Sequence, residues 1–207
     1  MTRWFGSQQL PRVERDPARV VFFSDAVFAI AVTLLVLGIE PPADFGHLME
    51  GLGRLWPSYL AYAISFLLIG QVWVNHHVMF EHIRSIDRRI LFLNTLLLMV
   101  IAFLPFSAAL LAGALDAREG LGVAVVFYGT TLWAAALLFN VLWAHARRGG
   151  LVDTGTLTDS GRAITIRFAI ALVWIGVGIV LGVFVPVAGV AVIAAFIPAY
   201  YLPIRGE

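Results

Sequence analysis

The chain has 207 residues, of which 60% are hydrophobic and 13% charged, with a net charge of +1, no cysteine and a mean hydropathy of +0.90. Soluble domains carry about a quarter of their residues as charges, so a chain this apolar needs lipid as its solvent and leaves no room for a separate soluble domain. Without cysteine, disulfides, thiol catalysis and cysteine-ligated metals are excluded, and a net charge of +1 gives no ground for a nucleic-acid partner.

Before Arg19 the N-terminal segment is polar and lacks an apolar h-region, so a cleavable signal peptide is not expected. Residues 1–17 read as a cytoplasmic N-terminal segment, 18–202 as a six-helix transmembrane domain and 203–207 as a cytoplasmic tail. The predicted spans are 18–38, 55–80, 89–113, 120–145, 162–184 and 187–202, each close to the ~20 residues that cross a bilayer. Pro41-Pro42 is expected to close the first span. Residues 116–120 separate the third from the fourth, and 149–161 form the longest internal loop. Pro105 is expected to kink the third span. Pro186 turns the chain into a short sixth span, interrupted by Pro198. In the fifth span Gly178-x-x-x-Gly182 is a small-residue pattern for close helix packing.

All 14 basic residues are arginine. Arg3, Arg12, Arg15, Arg19, Arg84, Arg88, Arg89, Arg147, Arg148, Arg162, Arg167 and Arg205 fall on one side of the predicted spans, leaving Arg54 and Arg118 on the other. By the positive-inside rule both termini are cytoplasmic. Glu40, Asp44, Glu50, Asp116 and Glu119 fall in the outer loops. They are either solvated loop acids or a negative outer mouth that concentrates cations.

Asp25 stands a few residues into the first apolar run. An ionised carboxylate in hydrocarbon needs a partner or water, so an acid at this depth marks a functional site by default. Counting along each helix from its cytoplasmic end puts several polar groups in the same layer. They are Ser24 and Asp25, then Trp73, Asn75, His76 and His77, then Asn94 and Thr95, Asn140, and Arg167. The economical arrangement is a hydrogen-bonded lock centred on Asp25, with an indole, an asparagine, a histidine or Arg167 as donor. Trp73, His76 and His77 are spaced i, i+3, i+4 and are expected to share a helix face. Such a lock is compatible both with simple helix packing and with a channel.

With Asp25 at the origin of a wheel of about 100° per residue, Ile30 falls near about 140°, Leu34 near about 180°, Leu37 near about 120° and Thr33 near about 80°. The acid and the apolar stripe therefore cannot face one axis. If the stripe lines an axis, Asp25 points back into its own subunit. Periodicity by itself favours lipid contact or helix packing for such a stripe.

Arg19-x-x-x-Phe23-Ser24-Asp25, the apolar run that follows, and Trp73-Val-Asn75-His76-His77 resemble the signature of the bacterial relatives of the lysosomal potassium channel, transmembrane protein 175. Length and the six-span layout match, so the resemblance covers essentially the whole chain. It implies an all-α homotetramer with six transmembrane helices per subunit, the first of each lining a central pore. The animal proteins carry two such repeats; this chain has one Phe-Ser-Asp copy, so four chains are needed. Carried over by position, Ile30 is the main constriction, Leu34 and Leu37 lie above it, and Thr33 is a polar pore-facing position. Arg19, Ser24, Asp25, Trp73, Asn75 and His76 form the lock. These positions show no departure from the family's pattern, whereas His77 and Arg167 are additions from the depth count.

The implied activity is conduction of potassium, with other monovalent cations, across the cell membrane, without a cofactor or a bound metal. No Thr-Val-Gly-Tyr-Gly carbonyl filter is present, so a modest preference for potassium over sodium is expected. A proton-coupled transporter or proton pathway through Asp25 and the histidines is the alternative. An intramembrane hydrolase using Ser24, Asp25 and His76 or His77 is disfavoured, because adjacent residues point about 100° apart on a helix. His76-His77 followed by His82 lacks metal-ligand spacing.

Overall fold

In the computed structural model the described residues are 17–153 and 159–200. They form helices α1 (Ala18–Leu34), α2 (Leu48–Arg54), α3 (Trp56–Glu81), α4 (Arg88–Ala117), α5 (Leu121–Arg148), α6 (Asp159–Phe184) and α7 (Pro186–Tyr200), with a 3-10 turn, Leu35–Gly38, continuing α1. Arg3, Arg12, Arg15, Arg205 and both terminal segments lie outside or at the edge of the described residues.

Among the described residues five helical stretches are long and apolar enough to cross a bilayer: Ala18–Gly38, Trp56–Glu81, Arg88–Ala117, Leu121–Arg148 and Gly161–Phe184. In the sixth predicted interval α7 is helical as far as Tyr200, and its 15 residues rise only about 22 Å against a hydrocarbon core of ~30 Å. Pro198 does not interrupt it, since α7 continues to Tyr200. Pro105 lies within α4. The first span ends at Gly38 as expected, just before Pro41-Pro42, tightening to 3-10 from Leu35 and turning extended at Ile39.

Local chemistry explains the helix ends. The Asp87 carboxylate accepts from the Ile90 N–H (2.8 Å) and caps α4. Pro57 sits in the first turn of α3, where its missing N–H is harmless. The α4–α5 connection is only three residues, made possible by left-handed backbone at Arg118 (φ 57°) and Gly120 (φ 64°). His145, Arg147 and Arg148 occupy the last turn of α5, where positive charge complements the helix dipole.

Packing follows chain order from α3 to α7, and α1 lies in the angle between α3 and α4. The core runs between α3, α4 and α5 through the fully buried Ile69, Leu97, Ile101, Val125 and Leu142. A buried Ser65–Tyr128 hydroxyl pair (2.9 Å) ties α3 to α5. Where α6 crosses α7, three glycines meet. A Cβ on Gly189 would stand 2.5 Å from the Gly182 Cα and 2.8 Å from the Gly178 carbonyl oxygen. The Gly178-x-x-x-Gly182 pattern is thus a backbone-to-backbone helix contact.

The arginine-rich ends of the helices are laced together. Ile83, after α3, bridges Val152, after α5. Arg84 pairs with Asp153, and His145 with Asp87 (2.7 Å). Burial alone pushes the Asp87 carboxyl up, but the Ile90 N–H and the His145 ring outweigh it and hold it below the ordinary carboxylate value. At the opposite end Asp44 accepts from the Gly46 N–H (2.8 Å) and meets His47 (2.8 Å), and Glu50 pairs with Arg54. Two of the five outer acids are therefore engaged locally.

Candidate functional site

Helix α1 buries one stripe, Ser24, Phe28, Ala31 and Leu35, spaced i, i+4, i+7, i+11 against α3 and α4. Ser24 has no exposure and its hydroxyl donates to the Val20 carbonyl (2.7 Å). It also accepts from Asn94 Nδ2 of α4 (3.0 Å). Asn94 Oδ1 in turn takes the His76 Nε2 proton at 2.9 Å. Because an amide oxygen only accepts, His76 must carry its proton on Nε2. The imidazole stacks on Phe80 (centroids 4.4 Å) and meets the Phe28 edge (5.4 Å). A continuous buried relay therefore joins α1, α4 and α3.

Asp25 is the outer arm of the same cluster. Its carboxylate accepts from the Trp73 indole at 2.8 Å, at the surface of the subunit. Ser24 and Asp25, adjacent in sequence, thus grip different partners: one the buried amide of α4, the other a half-exposed indole of α3.

Two expected members stand elsewhere. Arg19 is exposed, and no hydrogen bond or ion pair among the described residues ties it to Ser24 or Asp25. Asn75 faces α5 and α6, lining with Gln71 a cavity of about 40 Å³, because it sits about 200° from Trp73 around α3. Of the three residues expected to share one face of α3, Trp73 and His77 do so at the surface, and His76 turns into the core. His76 is fully buried, whereas His77 is exposed, lies 6.2 Å from the Trp73 ring and pairs with Glu81 (3.3 Å). Spacings of i+3 and i+4 flank the first residue on either side, and here the two sides are core and surface.

Other polar groups of the layer tie α5 to α6. Asn140 donates to the Phe168 carbonyl (3.0 Å). Thr165 receives the Trp143 indole (2.9 Å) and Arg147 (2.8 Å), tying α5 to α6. Thr95 bonds its own helix at Leu91. The depth count captured Asn94 but gave no signal that it, rather than Asn75, joins His76 to Ser24. That choice depends on which helix faces which.

Away from the buried stripe, α1 leaves a face uncovered by its own subunit. Ile30 is 58% exposed, Leu34 41% and Leu37 72%, and Thr33 is exposed, its hydroxyl donating to the Ile30 carbonyl (2.8 Å). For hydrolysis the geometry is wrong: the Ser24 hydroxyl donates to backbone, and His76 bonds Asn94 instead of Ser24. Among the described residues no group of three His, Asp or Glu side chains gathers to hold a metal.

The sequence model of the family described as endosomal/lysosomal potassium channel TMEM175 matches residues 19–105. That interval contains the whole relay, Asp25–Trp73 and the exposed α1 face. A potassium channel of Streptomyces collinus is 47% identical over 158 residues, 75% of this chain and 77% of that protein. The endosomal/lysosomal proton channel TMEM175 of Bos taurus is 35% identical over 64% of this chain. There the chain spans about a third of the relative's length (32%). The crystal structure of a lysosomal potassium-selective channel TMEM175 homolog from Chamaesiphon minutus superposes with a TM-score of 0.81 at 36% identity, covering 89% of this chain and 96% of that one. The family match, with a relative 47% identical over 75% of the chain and a solved homolog 36% identical over 89% of it, places the chain in the TMEM175 family of multi-pass membrane channels.

Proposed function

We propose that the chain is the subunit of a potassium-conducting cation channel of the cell membrane, with four copies arranging α1 around a central pore. The observation that carries this reading is the division of α1 into two faces. One is locked to α3 and α4 through Ser24, Asn94, His76, Asp25 and Trp73; the other leaves Ile30, Thr33, Leu34 and Leu37 exposed. Rings of Ile30, Leu34 and Leu37 offer a cation no ligands, so a narrow ring blocks by dewetting, and opening widens it for a hydrated ion. Asp25 then anchors the pore helix rather than binding the ion. The similarity to named potassium channels supports potassium as the permeant ion. In this reading α7 completes a six-span subunit, and the arginine-rich helix ends support a cytoplasmic placement of both termini.

Liposome flux under a potassium gradient tests it, comparing wild type with Ile30→Asn. A hydrophobic constriction predicts larger or less selective conductance in the variant. No flux in wild type counts against the channel, and unchanged flux in the variant moves the constriction elsewhere.

The name of the animal relatives favours a second reading, a proton pathway using Asp25 and the α3 histidines. Asp25→Asn separates the two. A proton role predicts loss of pH-coupled flux with assembly intact; an anchoring role predicts a weaker tetramer.

A further inference from the structure

Between α4 and α5, at the arginine-rich end, lies an open groove of about 880 Å³ whose walls change character along its length. Arg89, in the first turn of α4, and Arg148, at the end of α5, stand on its two lips, with His145 one turn in from Arg148, while Asn140 lies deeper, beside Val141, its amide already donating to the Ala136 and Phe168 carbonyls. Further into the membrane-spanning part, Phe92 and Val141 line it, 64% and 42% exposed. Helix periodicity produces this arrangement. Arg89 and Phe92 are spaced i, i+3, and Val141, His145 and Arg148 are spaced i, i+4, i+7, so each helix turns one continuous face to the groove.

Arg89 and Arg148 are both exposed, and neither forms a salt bridge with a described acid. This sets them apart from Arg54 and Arg84, which are paired with Glu50 and Asp153. The acid of this end of α4, Asp87, is already engaged by His145 and the Ile90 N–H. The groove thus combines two unneutralised guanidiniums at the headgroup level with an apolar floor at the acyl level. A soluble phosphate would use only the first, and a zwitterionic lipid brings its own cation to offset the second charge.

We propose that the α4–α5 groove binds an anionic phospholipid, its phosphate held by Arg89 and Arg148 and one acyl chain laid along Phe92 and Val141. Such a lipid bridges the ends of two helices that the His145–Asp87 pair already joins, and the groove is lined from α4 and α5 without a residue of α1.

Native mass spectrometry of the full-length protein in detergent tests the assignment, with phosphatidylglycerol and phosphatidylcholine of identical chains as probes. Wild type is expected to retain phosphatidylglycerol preferentially. The Arg89→Gln/Arg148→Gln double variant is expected to lose that retention by on the order of tenfold or more, and Arg89→Lys/Arg148→Lys to keep most of it. Equal retention of both lipids by wild type overturns the proposal, as does unchanged retention in the double glutamine variant, the result expected if a second copy of the chain covers the groove. Inorganic phosphate that displaces phosphatidylglycerol at comparable concentration makes this a soluble-anion site and overturns the lipid assignment. If the glutamine pair fails to fold, the wild-type lipid comparison and the phosphate competition decide without it.

Discussion

Asn94 holds the position on which the α1 anchor depends, because its single amide satisfies two buried partners on different helices. Replacing it with alanine leaves the buried His76 Nε2 proton without its acceptor and removes the donor to the Ser24 hydroxyl, which keeps its own bond to the Val20 carbonyl. A loss of about 1–3 kcal/mol is expected, read as a lower unfolding midpoint in detergent. Trp73→Phe, which removes only a half-exposed bond to Asp25, should destabilise less. If both variants melt with wild type, the relay contributes nothing to holding α1. A second residue-scale expectation concerns acid. Asp87 is held below its ordinary 3.8 in the folded chain. Its contribution is therefore complete above that value and is lost as the pH falls through the lower folded value. Asp87→Asn should be less stable than wild type at neutral pH, and the gap should close below about pH 4. A gap that stays constant across a pH series of thermal melts would contradict the ion-pair and capping role.

The elements differ in what holds them. The crossing of α6 and α7 is set by glycine backbones in contact, so no neighbouring side chain can rotate away to admit a methyl group. Gly189→Ala must push the helices apart and is expected to lower stability by about 1–3 kcal/mol. Gly113→Ala, on α4 with nothing within 4 Å of the added Cβ, should instead be neutral or stabilise by up to about 1 kcal/mol. Thermal aggregation of the two variants in the same detergent compares them directly. Equal midpoints would mean the crossing relaxes freely. Helix α1, by contrast, is held along only one stripe by side-chain packing and polar bonds. That is the mounting expected of a helix whose other face meets a different surface.

At the scale of the whole molecule the open issue is what covers the exposed α1 face, and a cysteine-free chain allows a clean test. If four copies bring α1 to a common axis, Leu37→Cys should form intersubunit disulfides under mild oxidation in liposomes. Val173→Cys, exposed on α6, serves as the comparison and should not. Crosslinking at Val173 without crosslinking at Leu37 would turn the α1 stripe toward lipid and remove the basis for the pore assignment.

Much of this architecture was legible without coordinates. An apolar run of about 20 residues can only be a membrane helix, because lipid leaves the backbone no other partner than itself. Hence the all-helical class and five of the spans followed from hydropathy. The Arg19 to Asp25 motif marked α1 for a similar reason, since a carboxylate in such a run demands a donor, and Trp73 is one. Residue spacing could not say which side of α3 meets α1. His76 and His77 were equivalent in the chain, yet one is core and the other surface, and Asn75 turns to α5 while Asn94 completes the relay. Which helices are neighbours is a property of packing, set by the volumes buried between α1, α3, α4 and α5 and not by any local pattern. What the sequence alone determined, then, was that these segments cross a membrane and that Asp25 needs a partner. Only the tertiary structure decided which donors reach it and Ser24, and thereby which face of α1 is left over.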